Sequence, residues 1–296
     1  MSAVAAKSVR RSSWSIGGVT IEVIKYALLF ALAFSFFVPF LWMISSALKD
    51  DPQIYTVPPI WVPSPMHPEN FINGWTKFNF TRFAINSIVY YAIPSTILVT
   101  LSSAVVAYGF SRLRWPGRDL LFGLCLATIM IPFQVVMVPL FITFKTLGWL
   151  NSYLPLVIPG IFGSPWFIFM LRQFFLTIPE ELSDAARIDG AGEMGILFRI
   201  ILPLARPALI VVALFQFLGA WNDYLGPLLY INKENLFPLA LGVGILRRMT
   251  GETGTTALVY PYLMAVSTII TVPIIIAYFL AQRRFIEGIT TTGMKG

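Results

Sequence analysis

The sequence is poor in the residues that metal centres and disulfide bonds require. Its 296 residues include one cysteine, Cys125, and one histidine, His67. One thiol cannot form an intramolecular disulfide, and these two residues cannot supply a cysteine or histidine metal cluster. We therefore expect no metal site in this chain. Cys125 lies in an apolar stretch and is interpreted as a small packing residue, and His67 as a surface residue of a proline-rich loop.

Charge is also scarce. Only 12% of the residues are charged and 57% are hydrophobic, whereas an ordinary soluble domain carries about 25% charged residues. The composition therefore favours an integral membrane protein. The net charge of +7 does not indicate a nucleic-acid partner, because the basic residues lie in short segments between apolar stretches. In that position they act as topology signals.

Long stretches without Asp, Glu, Lys or Arg predict the membrane helices, since a span needs about 20 mainly apolar residues. These stretches are 26–48, 83–111, 120–144, 146–171, 207–232, interrupted only by Asp223, and 253–282. We predict an all-α integral membrane protein with six transmembrane helices. A polar tail over 1–24 precedes a single transmembrane domain over 25–296. The tail does not begin a cleavable signal peptide, because the apolar run after it is too long.

Lysine and arginine set the predicted orientation, because cytoplasmic loops carry an excess of them. The side that holds both chain ends and the loops 112–118 and 172–206 is the more basic one. We therefore predict that both termini are cytoplasmic. On the other side, six prolines between residues 50 and 79 predict an extended path without a helix, and 233–254 forms a second outer segment.

The cytoplasmic loop 172–206 carries the most informative motif. Thr177 and Glu180 have the spacing of a capping box, which predicts the start of a helix. Gly190 and Gly192 then predict the end of that helix, and a second helical piece follows. The expected structure is a helix–glycine–helix elbow outside the membrane.

Two small residues, Ala185 and Ala186, lie on the first helix of this elbow. Small side chains on an exposed helix allow another protein surface to approach closely. From the spacing alone, an ordinary amphipathic surface elbow is an equally good interpretation.

The elbow resembles the EAA loop of ABC importer permeases. That pattern is Glu-Ala-Ala, three residues, Gly, nine residues and Ile-x-Leu-Pro. This chain has Asp184-Ala185-Ala186, Gly190 and Ile200-Ile201-Leu202-Pro203 at the same spacing. Asp184 replaces the glutamate, which keeps the charge and shortens the side chain by one methylene. The resemblance to carbohydrate-uptake permeases of the maltose type extends over nearly the whole chain, through segments 39–49, 83–87, 221–225 and 282–296.

The resemblance implies a permease subunit of the bacterial inner membrane that forms half of the pathway for a sugar or related solute. The solute could be a mono- or oligosaccharide, a polyol or glycerol phosphate. The implied partners are a second, different permease, two ATPase subunits and an extracytoplasmic solute-binding protein. The residues expected to couple to the ATPase are Glu181, Asp184, Ala185, Ala186, Asp189, Gly190 and Pro203. Those expected to contact the binding protein are Arg247, Arg248, Thr250 and Gly251.

The chain is not expected to hydrolyse ATP itself. A P-loop needs a glycine-rich turn followed by Gly-Lys-Ser/Thr, and no Gly-Lys dipeptide occurs in the sequence. We therefore expect no cofactor in this chain, with ATP and Mg²⁺ used by the partner ATPase.

Polar residues at membrane depth are expensive and are candidates for function. Gln134, Gln216, Asn222 and Asp223 are such residues, and they could line a solute pathway. The alternative is that they form hydrogen bonds between helices. We favour this alternative for Asp223, because the motif that contains it resembles one shared by permeases for different solutes.

Three other classes of protein stay open at this point. A stand-alone secondary transporter or channel would work without ATP and gives no reason for a glycine-hinged elbow. A membrane enzyme would need a histidine cluster, a carboxylate pair at catalytic spacing or a nucleophile motif, and the sequence shows none of them. Half of an exporter would need a fused ATPase or a different loop.

Overall fold

The computed structural model describes residues 16–250 and 259–292, with side chains over 20–250 and 259–280. This part of the chain is helical and contains no strand. The α-helices are α1 (Ile16–Ala47), α2 (Asp51–Ile54), α3 (Glu69–Lys77), α4 (Phe80–Ile85), α5 (Ile93–Arg112), α6 (Arg118–Ala127), α7 (Phe133–Thr146), α8 (Leu154–Val157), α9 (Pro165–Thr177), α10 (Glu181–Ile188), α11 (Glu193–Ile196), α12 (Leu202–Leu204), α13 (Arg206–Trp221), α14 (Leu225–Tyr230), α15 (Leu239–Met249) and α16 (Val259–Thr292).

Short segments of 3₁₀-helix and π-helix lie between some of these α-helices. Turns of π-helix at Asn86–Ala92 and Leu197–Ile201 connect α4 to α5 and α11 to α12. Turns of 3₁₀-helix lie at Thr128–Met130, Ile158–Phe162 and Glu234–Leu236. As a result, α4 and α5 form one helical rod.

Four helical stretches are long and apolar enough to cross a membrane. They are Thr20–Ala47, Phe80–Arg112, Leu154–Thr177 and Val259–Leu280. Two helix pairs pass the same test only together: Arg118–Met130 with Phe133–Thr146, bent by 97°, and Glu193–Leu204 with Arg206–Trp221, bent by 82°. The described residues therefore contain four spans, or up to six if each bent pair is one span.

Prolines explain where the two bends lie. Ile131 precedes Pro132 and is extended (φ −82°, ψ 113°), as expected for a residue before proline. The second bend is at Ala205 (φ −88°, ψ 9°), and Pro207 lies in the first turn of α13. Proline is tolerated at this position, because its missing N–H would have no intrahelical acceptor.

The predicted span over 146–171 is shifted along the chain. The helix ends at Thr146, and Gly148 (φ +71°) and Asn151 (φ +58°) turn the backbone through the left-handed region. The helical stretch then resumes at Leu154 and continues to Thr177. A short loop at Gly148–Asn151 is what the sequence predicts at the start of this stretch, and the structure agrees.

The segment between α1 and α4 corrects the prediction of an extended path. Here α2 contains Pro52 in its first turn, and α3 begins directly after Pro68. Both prolines occupy helix starts, where they remove no helical hydrogen bond. The other four prolines lie in the irregular stretch between α2 and α3.

A buried asparagine closes the C-terminal end of α1. Asn70 in α3 donates from Nδ2 to the carbonyl oxygens of Ala47 (3.0 Å) and Lys49 (2.9 Å). Carbonyls at a helix C-terminus lack intrahelical partners, and Asn70 is only 2% exposed. The ammonium group of Lys49 is also buried and lies 3.9 Å from the ring centroid of Trp42. The segment 50–79 therefore folds back onto the end of α1.

The largest buried cluster joins α5, α9 and the residues that follow α10. Leu171 and Phe175 of α9 are fully buried, as are Ile196 and Leu197. Tyr108 of α5 belongs to the same cluster. Because α5 also packs against α13, this one helix contacts both membrane stretches that flank residues 178–204.

We expect Asn70→Ala to destabilise the protein by about 1–3 kcal/mol, because the change leaves buried carbonyls without hydrogen-bond donors. The measurement is the apparent Tm of the purified protein in detergent. Asn73→Ala, on the same helix but half-buried, is the matched control. An equal Tm for the two variants would contradict the assigned role of Asn70.

Candidate functional site

The elbow, residues 178–204, begins with α10, but the predicted capping box does not form. The hydroxyl of Thr177 donates to the carbonyl oxygen of Phe174 (2.7 Å), within the last turn of α9. Ile178 is extended (φ −76°, ψ 131°) and separates the two helices. The N-cap position of α10 therefore falls on Glu180, whose side chain makes no capping bond.

The predicted end of α10 at Gly190 agrees with the structure. Gly190 has φ +84°, in the left-handed region that L side chains rarely adopt. The N–H of Gly190 donates to Arg187 O (3.0 Å) and the N–H of Ala191 donates to Ala186 O (2.9 Å). This pair of bonds is a Schellman motif, the common C-terminal cap of a helix. A Cβ at Gly190 would meet no atom within 4 Å, so backbone conformation and not space favours glycine.

The two alanines of α10 lie on different faces of the helix. Ala186 is 8% exposed and belongs to the cluster with α5 and α9, whereas Ala185 faces outward. The outward residues from the predicted coupling set are Glu181, Asp184, Ala185, Asp189, Gly190 and, in α12, Pro203. Two apolar side chains, Leu182 and Ile188, lie among them with 43% and 86% exposure. The outer face of α10 is thus partly apolar and open.

A network of hydrogen bonds crosses the glycine turn of the elbow. Arg187 donates from Nη1 to Asp184 Oδ1 (2.7 Å) and from Nε to Glu193 Oε1 (2.8 Å). Tyr108 on α5 donates from its hydroxyl to Glu193 Oε2 (2.5 Å). The bond to Glu193, with support from Asp184, raises the pKa of Arg187. Four side chains thus connect α10, α11 and α5.

A second connection to α5 lies one helical turn further on. Arg112 is 8% exposed and donates from Nη2 to the carbonyl oxygens of Phe175 and Ile178. Phe175 O also accepts from the N–H of Ile178 (3.2 Å), and Ile178 O lies past the end of α9, where the helix supplies no donor. Arg112 therefore holds the extended residue Ile178 at the end of α5. Because Ile178 begins the elbow, the start of the elbow is held there too.

An open cleft of about 750 Å³ lies between the elbow and the turn from α5 to α6. Its lining carries equal numbers of arginines and carboxylates, namely Arg112, Arg114, Arg187, Glu180, Asp184 and Glu193, with Leu113 and Trp115. The Arg114 guanidinium is 3.4 Å from Glu180 Oε1. This open, mixed-charge lining suits the surface of another protein. Among the described residues no group of three His, Cys, Asp or Glu could hold a metal ion.

The four polar residues proposed for a solute pathway have two kinds of environment. Asp223 accepts from the hydroxyl of Tyr91 (2.5 Å) and from the N–H of Gly226 (3.0 Å). Gln216 donates to Ser95 Oγ (2.8 Å) on α5. Both side chains thus make hydrogen bonds within the protein, as the alternative interpretation holds.

The other two pathway candidates are exposed. Asn222 donates from Nδ2 to the carbonyl of Leu218 (2.8 Å) in its own helix and is exposed. Gln134 is exposed in the first turn of α7, just after the bend at Pro132. These two residues keep polar atoms available to a solute.

The residues expected to contact a binding protein lie at the end of α15. Arg247 and Arg248 are exposed in its last turn, and Thr250 follows directly. Arg248 donates from Nη2 to the hydroxyl of Tyr224 (2.5 Å). Gly251 lies outside the described residues.

The sequence analysis did not identify the residues that attach the elbow to α5 and connect its two halves. Arg187 and Glu193 flank the glycines, and Tyr108 and Arg112 are on α5. The spacing of Tyr108 and Arg112 predicts that they share one face of a helix. Their partners could not be predicted from the sequence, because they lie 63 to 85 residues away along the chain.

Comparison with known proteins yields consistent matches. The family model described as "Binding-protein-dependent transport system inner membrane component" matches residues 100–290. Over 282 residues the chain is 34% identical to the arabinooligosaccharides transport system permease protein AraQ of Halalkalibacterium halodurans, with 94% of this chain and 99% of that protein covered.

Two solved structures share the fold. A crystal structure of a bacterial ABC transporter involved in the import of the acidic polysaccharide alginate matches with a TM-score of 0.76 and 21% identity, over 92% of this chain and 98% of that one. The bacterial alginate ABC transporter in complex with an alginate pentasaccharide-bound periplasmic protein matches with a TM-score of 0.64 and 15% identity, over 90% and 94% of the two chains.

We expect Tyr91→Phe to lower the stability of the protein by about 1.5–3 kcal/mol, the usual contribution of a hydrogen bond to a charged group. The change removes the hydroxyl that donates to Asp223. The neighbouring Tyr90→Phe, at a residue with 50% exposure, is the control, and both are compared by apparent Tm in detergent. Equal Tm values would leave Asp223 as a pathway candidate.

Proposed function

Since the chain belongs to the family of binding-protein-dependent transport system inner membrane components, we propose that it couples carbohydrate import to a separate ATPase through its elbow. It is a multi-pass protein of the bacterial inner membrane and a permease subunit of an ABC importer. Permease subunits of this family have no ATPase site of their own.

The observation that carries the coupling role is the outer face of α10. Its exposed Glu181, Asp184 and Asp189 offer acceptors for basic groups, and Ala185 allows close approach. Ile188, with 86% exposure, offers an apolar anchor next to them. A surface with exposed apolar side chains inside a polar rim is suited to a protein partner. Ala186 contributes from the inner side, where it fixes α10 to the core.

The elbow is connected to the membrane helices at its end, so we expect a displacement of α10 to be passed on to them. Gly190 sets the turn after α10, and Pro203 lies in α12 just before the 82° bend into α13. In the proposed topology the four long stretches, the bent pair Arg118–Met130 with Phe133–Thr146, and α13 each cross the membrane, which gives six spans with both termini and the elbow in the cytoplasm. The polar tail over 1–24 then precedes one permease domain over 25–296.

The proposed solute is an oligosaccharide or a related carbohydrate. The matched relative is a permease for arabinooligosaccharides, and the structural neighbour imports a polysaccharide. Sugar hydroxyls need side chains that donate and accept hydrogen bonds, and the exposed amides of Gln134 and Asn222 can do both. Gln216 and Asp223 are assigned to support of the pathway wall, since their polar atoms are engaged with Ser95 and Tyr91.

The proposed partners complete the importer. A different permease subunit forms the other half of the pathway, and two ATPase subunits use ATP and Mg²⁺. A solute-binding protein docks on the outer side, where we assign the contact to Arg247, Arg248, Thr250 and Gly251. The exposed arginines at the end of α15 support this assignment, because positive charge at an interface speeds the encounter with an acidic partner.

The test of this function is purification of the tagged chain in mild detergent, followed by reconstitution. We expect an ATPase and a second permease to co-purify, and ATP hydrolysis to rise when a binding protein loaded with oligosaccharide is added. If the chain purified alone and transported sugar without ATP, a secondary carrier would replace the proposal.

We expect Gly190→Val to lower the amount of solute transported per ATP hydrolysed. A β-branched residue at φ +84° is strained by about 1–2 kcal/mol or more, which would distort the turn after α10. Gly190→Asn is the control, because asparagine tolerates the left-handed region and the site has room for a side chain. Both are measured in liposomes that contain the whole complex. A normal ratio in the valine variant would refute the coupling role of this turn.

A further inference from the structure

The turn between the two halves of the elbow contains two glycines, and beyond the Schellman motif at Gly190 its backbone has the conformational freedom that glycine allows. Gly190 and Gly192 would each accept a Cβ without meeting any atom within 4 Å, so the glycines themselves contribute no side-chain contact that stiffens the turn between α10 and α11. A force on α10 could bend this turn without moving the membrane helices. Efficient transmission therefore needs side chains that bridge the turn.

Glu193 provides this bridge. One of its carboxylate oxygens accepts from Arg187 of α10 (2.8 Å), and the other accepts from the hydroxyl of Tyr108 on α5 (2.5 Å). Arg187 Nη2 is a further 3.4 Å from the second oxygen. One side chain thus connects both sides of the glycine turn to the membrane helix. Hydrogen bonds to an ionised group are shorter and stronger than neutral ones.

Tyr108 is well placed to receive movement. Its side chain is 3% exposed and is packed in the cluster with Phe175, Ile196 and Leu197. A tightly packed side chain transmits a displacement instead of absorbing it. One turn further along the same face, Arg112 binds the carbonyls at the start of the elbow. Helix α5 is therefore attached to the elbow before α10 and after it.

We propose that Glu193, with Tyr108 and Arg187, forms a clamp that transmits movement of α10 to α5, so that α5 is the first membrane helix to move when the ATPase closes. This inference rests on the coupling function proposed above and adds to it the route inside this subunit. Glu193 and Tyr108 are positioning residues in this proposal, because they act on transport indirectly, through the movement of α10.

The experiment uses the whole reconstituted complex with Tyr108→Phe and Glu193→Gln. The readout is solute transported per ATP hydrolysed, measured alongside the amount of ATPase subunit that co-purifies. We expect the ratio to fall about fivefold or more in either variant, within the range of typical coupling energies, with unchanged ATPase content. Asp119→Asn, an acid with 78% side-chain exposure beside the cleft, and Tyr26→Phe, with 63% exposure, are the matched controls and should keep the wild-type ratio.

The double variant distinguishes one connected clamp from two independent local effects of the single substitutions. If Tyr108 and Glu193 act through one bond, the double variant should be no worse than the poorer single variant, because residues in one network are not additive. Additive losses would overturn the clamp, and so would a lowered Tm with a normal transport ratio. Either result leaves the coupling function intact, since that function is contradicted by different outcomes: a wild-type chain that purifies without the ATPase, or a normal ratio in the Gly190→Val variant.

Hydrogen exchange on the wild-type complex tests the same route without any substitution. When ATP with Mg²⁺ is added, we expect amide protection to change at residues 104–112 together with residues 181–196. A change confined to the elbow, with α5 unaffected, would overturn the inference.

Discussion

Backbone hydrogen bonding inside an apolar environment is the constraint on which this structure depends. A helix satisfies its own backbone groups, but each helix end leaves several without partners. In this chain, polar side chains supply them: Asn70 and Arg112, from other helices, for the ends of α1 and α9, and Asp223, three residues away, for the N–H of Gly226. Asn86 does the same for the carbonyls of Asn235 and Phe237. The scarce polar residues are therefore placed mainly at helix breaks.

This explains which parts of the molecule could be predicted from the sequence. The end of α10 at Gly190 was predictable, because that turn depends on residues close to one another in the chain, whereas the capping box predicted at Thr177 and Glu180 does not form. The apolar stretches predicted most of the membrane helices for the same reason. The short loop at Gly148–Asn151 was also predictable, because glycine and asparagine are the residues that favour a left-handed turn. The helices α2 and α3 were missed because prolines were read as helix breakers, although Pro52 and Pro68 stand at helix starts.

The roles of the polar residues were the hardest to predict. Gln216 looks like a pathway residue in the sequence, because a polar group in an apolar stretch is expensive, whereas the shared motif around Asp223 already favoured hydrogen bonding within the protein. The structure gives them partners on distant helices, Ser95 and Tyr91. Only contacts far apart in the chain distinguish support from solute recognition. The same limit hid Tyr108 and Glu193, whose bond joins residues 85 positions apart.

The exposed face of α10 has a consequence for the life of the subunit before it meets its partners. Ile188 and Leu182 present apolar surface on a helix that lies outside every membrane-crossing candidate. In an assembled importer of the proposed kind, the ATPase covers this surface. A newly inserted subunit without an ATPase would display it to chaperones and proteases. The residues that we assign to energy coupling would then also mark an orphan subunit for removal, so that unpaired copies do not accumulate in the membrane.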